Sequence, residues 1–177
     1  MSSDTLTPFS HVVLVLVGQD GAGPHDLVRM ARQGRIYGDF AESQWYAEPK
    51  RLAALGYLAA ETRPGKTRPR THYTLTEQGV GALRAWMAEP SGFSRIFMEP
   101  AVRLLAADLV GDEPVLESLS ALRTAIEEHR ARLDAAEAIA RTIPHREQYL
   151  LLNHALARRI VDAHADWLDE VEQTLRQ

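Results

Sequence analysis

Residues 43–58 read SQWYAEPKRLAALGYL, and residues 73–79 read YTLTEQG. Ser43 can open a helix that runs to Leu55, with Gly56 as the residue just beyond it. Leu52, Leu55 and Leu58 would turn inward from that segment. Ser43, Gln44, Tyr46, Lys50 and Arg51 would offer polar and cationic groups outward. Tyr57 to Arg63 and Thr71 to Thr76 are short strand-like runs. The loop between them, Pro64-Gly65-Lys66-Thr67-Arg68-Pro69-Arg70, is punctuated by Pro and Gly, so the unit reads as a β-hairpin. Thr76-Glu77-Gln78-Gly79 starts a further helix, with Leu83, Trp86 and Met87 on its apolar side and Glu89-Pro90 at its end.

Upstream, Thr7-Pro8 has the form of an N-cap followed by Pro at the first helical position. The β-branched run from Phe9 to Val17 leaves helix and strand tied on periodicity, and the cap tips it to helix. Gly18-Gln19-Asp20-Gly21-Ala22-Gly23 is a turn, Pro24 opens a short helix to about Gln33, and Gly34 to Phe40 is a second break. Three short helices, a basic hairpin and a fourth helix therefore fill residues 1–89. That order is a winged helix-turn-helix.

Residues 90–177 read as all-helical, which makes the fold class mainly α with a small β-hairpin wing. Residues 91–100 (SGFSRIFMEP) form an apolar linker. A short helix over 101–109 ends at Gly111, a long one runs from Pro114 to about Thr142, and the last begins at His145. Positions 115, 119, 122, 126, 129, 133, 136, 140 and 143 alternate in steps of four and three, and all but His129 are apolar. This is a heptad seam. Leu152, Leu156, Ile160, Ala163, Trp167 and Val171 line one side of the last helix. The pattern predicts a homodimer built on residues 90–177, with Leu119, Leu122, Ile126, Leu133, Leu156, Ile160 and Trp167 at the interface. His129 would set register in the seam.

The 177 residues carry net charge −4 and no cysteine. Disulfide frameworks, thiolate zinc sites and cysteine nucleophiles are excluded. The seven histidines form no pair at helical ligand spacing, so neither a metal nor another cofactor is expected. No phosphate-binding loop or nucleophile elbow occurs, and the chain is not expected to be an enzyme. No apolar run approaches the ~20 residues of a membrane span, and a cytoplasmic protein is the expectation. Charge is uneven: residues 1–89 hold ten Lys+Arg against nine Asp+Glu, residues 90–177 ten against fifteen. Arg63, Lys66, Arg68 and Arg70 crowd the hairpin against Glu61 alone.

A basic hairpin following a polar helix points to double-stranded DNA as partner. Early residues of such a helix meet base edges, and the hairpin lies along phosphates. The candidate DNA-contacting set is Ser43, Gln44, Tyr46, Lys50, Arg51, Arg63, Lys66, Arg68, Arg70 and Tyr73. A small-molecule effector would find aromatic walls in Trp45, Phe93 and Phe97, together with Met98 and His129. The alternative is an adaptor or ligand-binding dimer that keeps the scaffold without binding DNA.

Tyr46, Lys50-Arg51-Leu52, Gly56-Tyr57-Leu58 and Tyr73 to Gly79 together resemble the PadR family of bacterial transcriptional regulators, in order and spacing. Val12-Val13-Leu14 and Pro24-His25 also fit, and the resemblance covers residues 9–89. It implies a homodimeric repressor on a palindromic operator, released in some members by a small aromatic or drug-like effector. Two positions depart from the pattern. Asp26-Leu27 stands where the family usually has Gly-Tyr. Pro49 falls inside the reading helix, which predicts either a helix starting near Pro49 or a kink at Tyr46–Ala47.

Overall fold

The computed structural model describes residues 5–34, 40–65, 69–93 and 98–176. The chain forms two compact units, residues 1–92 and 93–177.

In the first unit, α1 (Pro8–Val17) begins at a capping box. The Ser10 N–H donates to Thr7 Oγ1 at 3.1 Å and the Thr7 N–H to Ser10 Oγ at 2.8 Å. Its valines are mediocre helix formers. Burial of Phe9, Val13, Leu14, Leu16 and Val17 outweighs that preference. Helices α2 (Pro24–Gly34) and α3 (Glu42–Ala54) follow, then β1 (Leu58–Arg63), β2 (Arg70–Leu75) and α4 (Glu77–Met87). The strands pair antiparallel, from Leu58 opposite Leu75 to Arg63 opposite Arg70. Helix α3 continues through Pro49, which is buried, so the helix does not start there.

The 18–23 turn is more than a connection. Ala22 pairs with Tyr73 through two backbone hydrogen bonds of 2.9 and 3.0 Å, adding a one-residue third strand to the wing. Gly21, at φ +73°, permits this approach, because a Cβ there would lie 2.6 Å from the Tyr73 carbonyl oxygen. The core joins Phe9, Val13, Leu14, Leu27, Trp45, Leu52, Leu58 and Tyr73. Trp86, on the expected apolar side of α4, is not buried. It stands 40% exposed on α4 and stacks on His11 at 4.7 Å.

In the second unit, α5 (Glu99–Leu105) and α6 (Ala107–Val110) lead into α7 (Asp112–Ala140) and α8 (Glu147–Leu175). The last two make an antiparallel hairpin of 29-residue helices, each about 43 Å long. The heptad seam on α7 is buried, and its partner is α8 of the same chain. Val115, Leu119, Ile126 and Leu133 pack against Ala157, Val161, Ala165, Leu168 and Val171, with Leu122 and Trp167 half-buried on the same core. This corrects the reading of Leu119, Ile126 and Leu133 as contacts between copies, while Leu122 and Trp167 keep part of their surface exposed. The inward face of α8 is also shifted from the one read in sequence. Ala157 and Ala165 let the helices approach, while Leu152, Leu156 and Ile160 stand 69, 54 and 45% exposed. Three arginines bridge the hairpin edges: Arg123 to Asp169, Arg130 to Asp162 and Arg158 to Asp134, each at 2.7 Å. Exposed pairs of this kind add little stability, but they match only one register of α7 against α8.

Candidate nucleic-acid interface

Two sequence strings that looked like a signature turn out to be a joint. Gly56, at φ +85°, ends α3. Thr76 Oγ1 donates to the Gly56 carbonyl at 2.7 Å, and Gln78 Nε2 donates to the Leu55 carbonyl at 3.2 Å. The Thr76 N–H donates to the Tyr57 carbonyl at 3.2 Å, while Thr76 caps α4 by accepting the Gly79 N–H at 3.1 Å. LGYL and TEQG thus lock α3, the wing and α4 together.

Helix α3 carries Ser43, Ala47, Lys50 and Ala54 exposed at spacings of four, three and four, which is one helical face. Small side chains around one cation suit entry into a major groove. Behind this face Trp45, Pro49 and Leu52 are buried. Gln44 is exposed, and its Oε1 folds back to accept the Ala41 N–H at 3.0 Å, capping the helix. Tyr46 reaches across to α2, where its hydroxyl lies 3.0 Å from His25 Nδ1.

Other members of the predicted set are placed differently. Arg51 turns inward, forking onto Glu48 through Nε at 2.9 Å and Nη2 at 2.7 Å and reaching Ser10 Oγ at 3.0 Å. A guanidinium forked onto a carboxylate, with side chains only 29 and 13% exposed, is structural, which removes Arg51 from the candidate phosphate contacts. Burial pushes the Glu48 carboxyl up, but the bonds from Arg51 and Ser10 and the Arg51 charge outweigh it, leaving the pKa below the ordinary value. Tyr73 is also a core residue. At 3% exposure it cannot touch a nucleic acid, and burial pushes its phenol pKa up. Trp45, also 3% exposed, packs edge-on against Phe9 with ring centroids 4.8 Å apart. Its place in the packed core of the first unit takes it out of the candidate effector set.

On the wing, Arg63 and Arg70 are exposed and directly opposite each other across the ladder. Like charges facing across strands repel. Glu61, two residues along the same strand, offsets one of them through a 3.0 Å contact to Arg63. Lys66, Arg68 and Phe97 fall outside the described residues. Phe93 is exposed and Met98 half-buried. His129 is half-buried on α7, its Nδ1 3.5 Å from Arg132 Nη2. Among the described residues, no group of three or more His, Asp or Glu side chains gathers as a metal site would require, and no helix is long and apolar enough to cross a membrane.

The buried histidine of the hairpin is His154, which lies two positions from both Leu152 and Leu156 of the stripe expected to face inward. It is 7% exposed, and its Nδ1 has no hydrogen-bond partner among the described residues. Burial lowers its pKa below 6.5, with Glu137 opposing the shift and Arg158 adding to it. A histidine whose folded pKa is depressed stabilises fully above the unfolded value, and that contribution is lost as pH falls from there through the lower folded value. The melting temperature of residues 93–177 is therefore expected to drop between pH 7.5 and 5.5, and His154→Leu to flatten that dependence. An equally steep dependence in His154→Leu would assign it to another group.

The chain thus joins a winged helix with a short third strand, in sequence, to a helical hairpin. Residues 99–176 match the family model described as Virulence activator alpha C-term. Among solved structures, the chain is similar to Bacillus subtilis PadR in complex with operator DNA, at TM-score 0.80 and 16% identity over 97% of this chain and 99% of that one. It is also similar to the Vibrio cholerae virulence activator AphA, at 0.70 and 20% over 94% and 97%. A third likeness is to Bacillus subtilis PadR in complex with p-coumaric acid, at 0.67 and 15% over 97% and 100%. No curated protein matches the chain in sequence. The chain has the PadR-type winged-helix fold.

Proposed function

We propose that this protein is a non-enzymatic, DNA-binding transcriptional regulator of the PadR type, acting as a homodimeric repressor on a palindromic operator. The observation that carries the reading is Arg63 opposite Arg70 at the tip side of a hairpin joined to the Lys50 face of α3. Two guanidiniums facing each other across a ladder repel, Glu61 offsets only one of them, and the phosphates of a DNA backbone would offset the other. PadR, with the same fold, forms a complex with operator DNA.

Ser43 and Lys50 would face base edges and phosphates in the groove, with Gln44 free to leave its cap for an adenine edge. Arg63 and Arg70, with Lys66 and Arg68, would follow the backbone. Two copies would associate through the exposed α8 stripe of Tyr149, Leu152, Leu156 and Ile160, presenting wings to half-sites about 34 Å apart. A small aromatic effector is inferred from the likeness to PadR bound to p-coumaric acid, with Phe93, Met98 and His129 as its candidate contacts.

The test is a salt titration of binding to the DNA upstream of the gene and to sites selected from a random library. Submicromolar, sequence-selective binding with a steep salt slope is expected. Lys50→Ala with Arg70→Ala should lower that slope by about two and weaken all sequences. An unchanged slope would take both cations off the phosphates, and no binding at low salt would overturn the regulator reading.

A further inference from the structure

One buried hydroxyl ties the start of the chain's first helix to the middle of the reading helix. Ser10 is fully buried. It accepts the Thr7 N–H at 2.8 Å, closing the cap of α1, and lies 3.0 Å from Thr7 Oγ1. Across to α3, it donates to Glu48 Oε1 at 2.6 Å and accepts from Arg51 Nη2 at 3.0 Å. Arg51 closes the ring onto both Glu48 oxygens. The side chains of Arg51 and Glu48 are 29 and 13% exposed.

These residues bracket Pro49 and Lys50. Pro49 has no N–H to give the Trp45 carbonyl, so α3 lacks one of its own hydrogen bonds in that turn. The apolar contacts of Trp45, Pro49 and Leu52 are non-directional and tolerate small rotations of the helix. The bonds from Ser10 and within the Glu48–Arg51 fork are directional, and two of the three groups are charged, which shortens and strengthens them. Swinging Arg51 out to a phosphate would leave the Glu48 carboxylate buried beside Ser10 alone.

We propose that Ser10, Glu48 and Arg51 form a positioning network that fixes the rotation of α3, so that residues touching no base set the sequence selectivity of the Ser43–Lys50 face. The proposal rests on the DNA-binding reading above. Arg51, though cationic and adjacent to Lys50, contributes to selectivity and not to phosphate binding.

The experiment compares the wild-type chain with Ser10→Ala, Arg51→Gln, the Ser10→Ala/Arg51→Gln double variant and Lys50→Ala. Kd is measured on a library-selected site and on random-sequence DNA across a salt series. Ser10→Ala and Arg51→Gln are each expected to lower the ratio of selected to random affinity about tenfold, leaving the salt slope on random DNA unchanged. The double variant should lose no more than the worse single one, because both break the same ring. Lys50→Ala should instead lower the slope by about one on both DNAs. A slope lowered by about one in Arg51→Gln would put Arg51 on a phosphate and overturn the network. Undiminished selectivity in the single variants, or fully additive losses in the double, would overturn it too. Should Ser10→Ala fail to fold, Glu48→Gln keeps the shape and serves in its place, with a selectivity loss of about threefold and an unchanged slope expected. Failure of the wild-type chain to bind any DNA is a separate outcome, which overturns the regulator reading and the network's role together.

Discussion

Leu133→Asp is expected to unfold the helical hairpin of residues 112–175 and not merely to separate two copies. Leu133 is fully buried between α7 and α8. Removing its side chain from a packed core costs about 2–5 kcal/mol, and an unpaired carboxylate in the same place adds several more. That total approaches the ~5–15 kcal/mol that holds a whole domain folded. Circular dichroism should show the helical melting transition of this unit lost or moved far down. Leu152→Glu with Leu156→Glu should behave in the opposite way. Both side chains stand in solvent in the single chain, where surface substitutions change stability within about 0.5 kcal/mol each. Sedimentation should then report a folded single copy where the wild type reports two, because four carboxylates would face each other across the proposed α8 contact. A folded dimer in this variant would move the interface to another surface. A folded, cooperatively melting Leu133→Asp would contradict the hairpin packing itself.

Gly79→Ala should break the junction between wing and reading helix, against the ordinary trend for a helix. Alanine in a helix interior is favoured over glycine by about 1 kcal/mol. At Gly79, however, an added Cβ would overlap the Tyr57 carbonyl oxygen and press on a Leu75 methyl. The neighbour is backbone held by the Thr76 N–H, so it cannot swing aside as a flexible side chain would. Overpacking of this kind costs about 1–3 kcal/mol, and the strain falls on the segment that orients the Arg63–Arg70 tip relative to α3. The expected result is a lower melting temperature and a loss of selective DNA binding of about tenfold or more, since misplaced donors miss their base edges. Gly81→Ala, two residues on in the same helix, has nothing within 4 Å of its new methyl. It should raise stability by about 0.5–1 kcal/mol and leave DNA binding unchanged. Equal behaviour of the two variants would remove the steric argument for Gly79.

The particular residues show how far local chemistry reaches. Thr7-Pro8, Gly56, Thr76 and Gly111 mark their helix ends in sequence because capping and positive φ depend on one or two neighbouring residues. The heptad positions of α7 are equally legible. A period near 3.5 says that one face is buried, whatever covers it. On these grounds the hairpin and the order of the longer helices followed from sequence, while the single helix expected over 101–109 is split into α5 and α6.

The identity of the covering surface did not. Periodicity cannot tell a second copy from the chain's own next helix. The turn at residues 141–146 and the alanines at 157 and 165 let α8 fold back and take that face, leaving the larger Leu152, Leu156 and Ile160 outside. Side-chain allegiance was equally hidden. Arg51 and Lys50 are adjacent cations in sequence, yet 100° of helical rotation sends one to Glu48 and Ser10 and the other to solvent. Ser10 lies 38 residues from Glu48, and Tyr73 is sealed by Ala22 from a turn 51 residues upstream. Local propensity carries information over about one helical turn, which determines where elements begin and end. Burial and hydrogen-bond partnership depend on residues far apart in sequence, so the tertiary fold alone decided which polar groups hold α3 in place and which are left exposed.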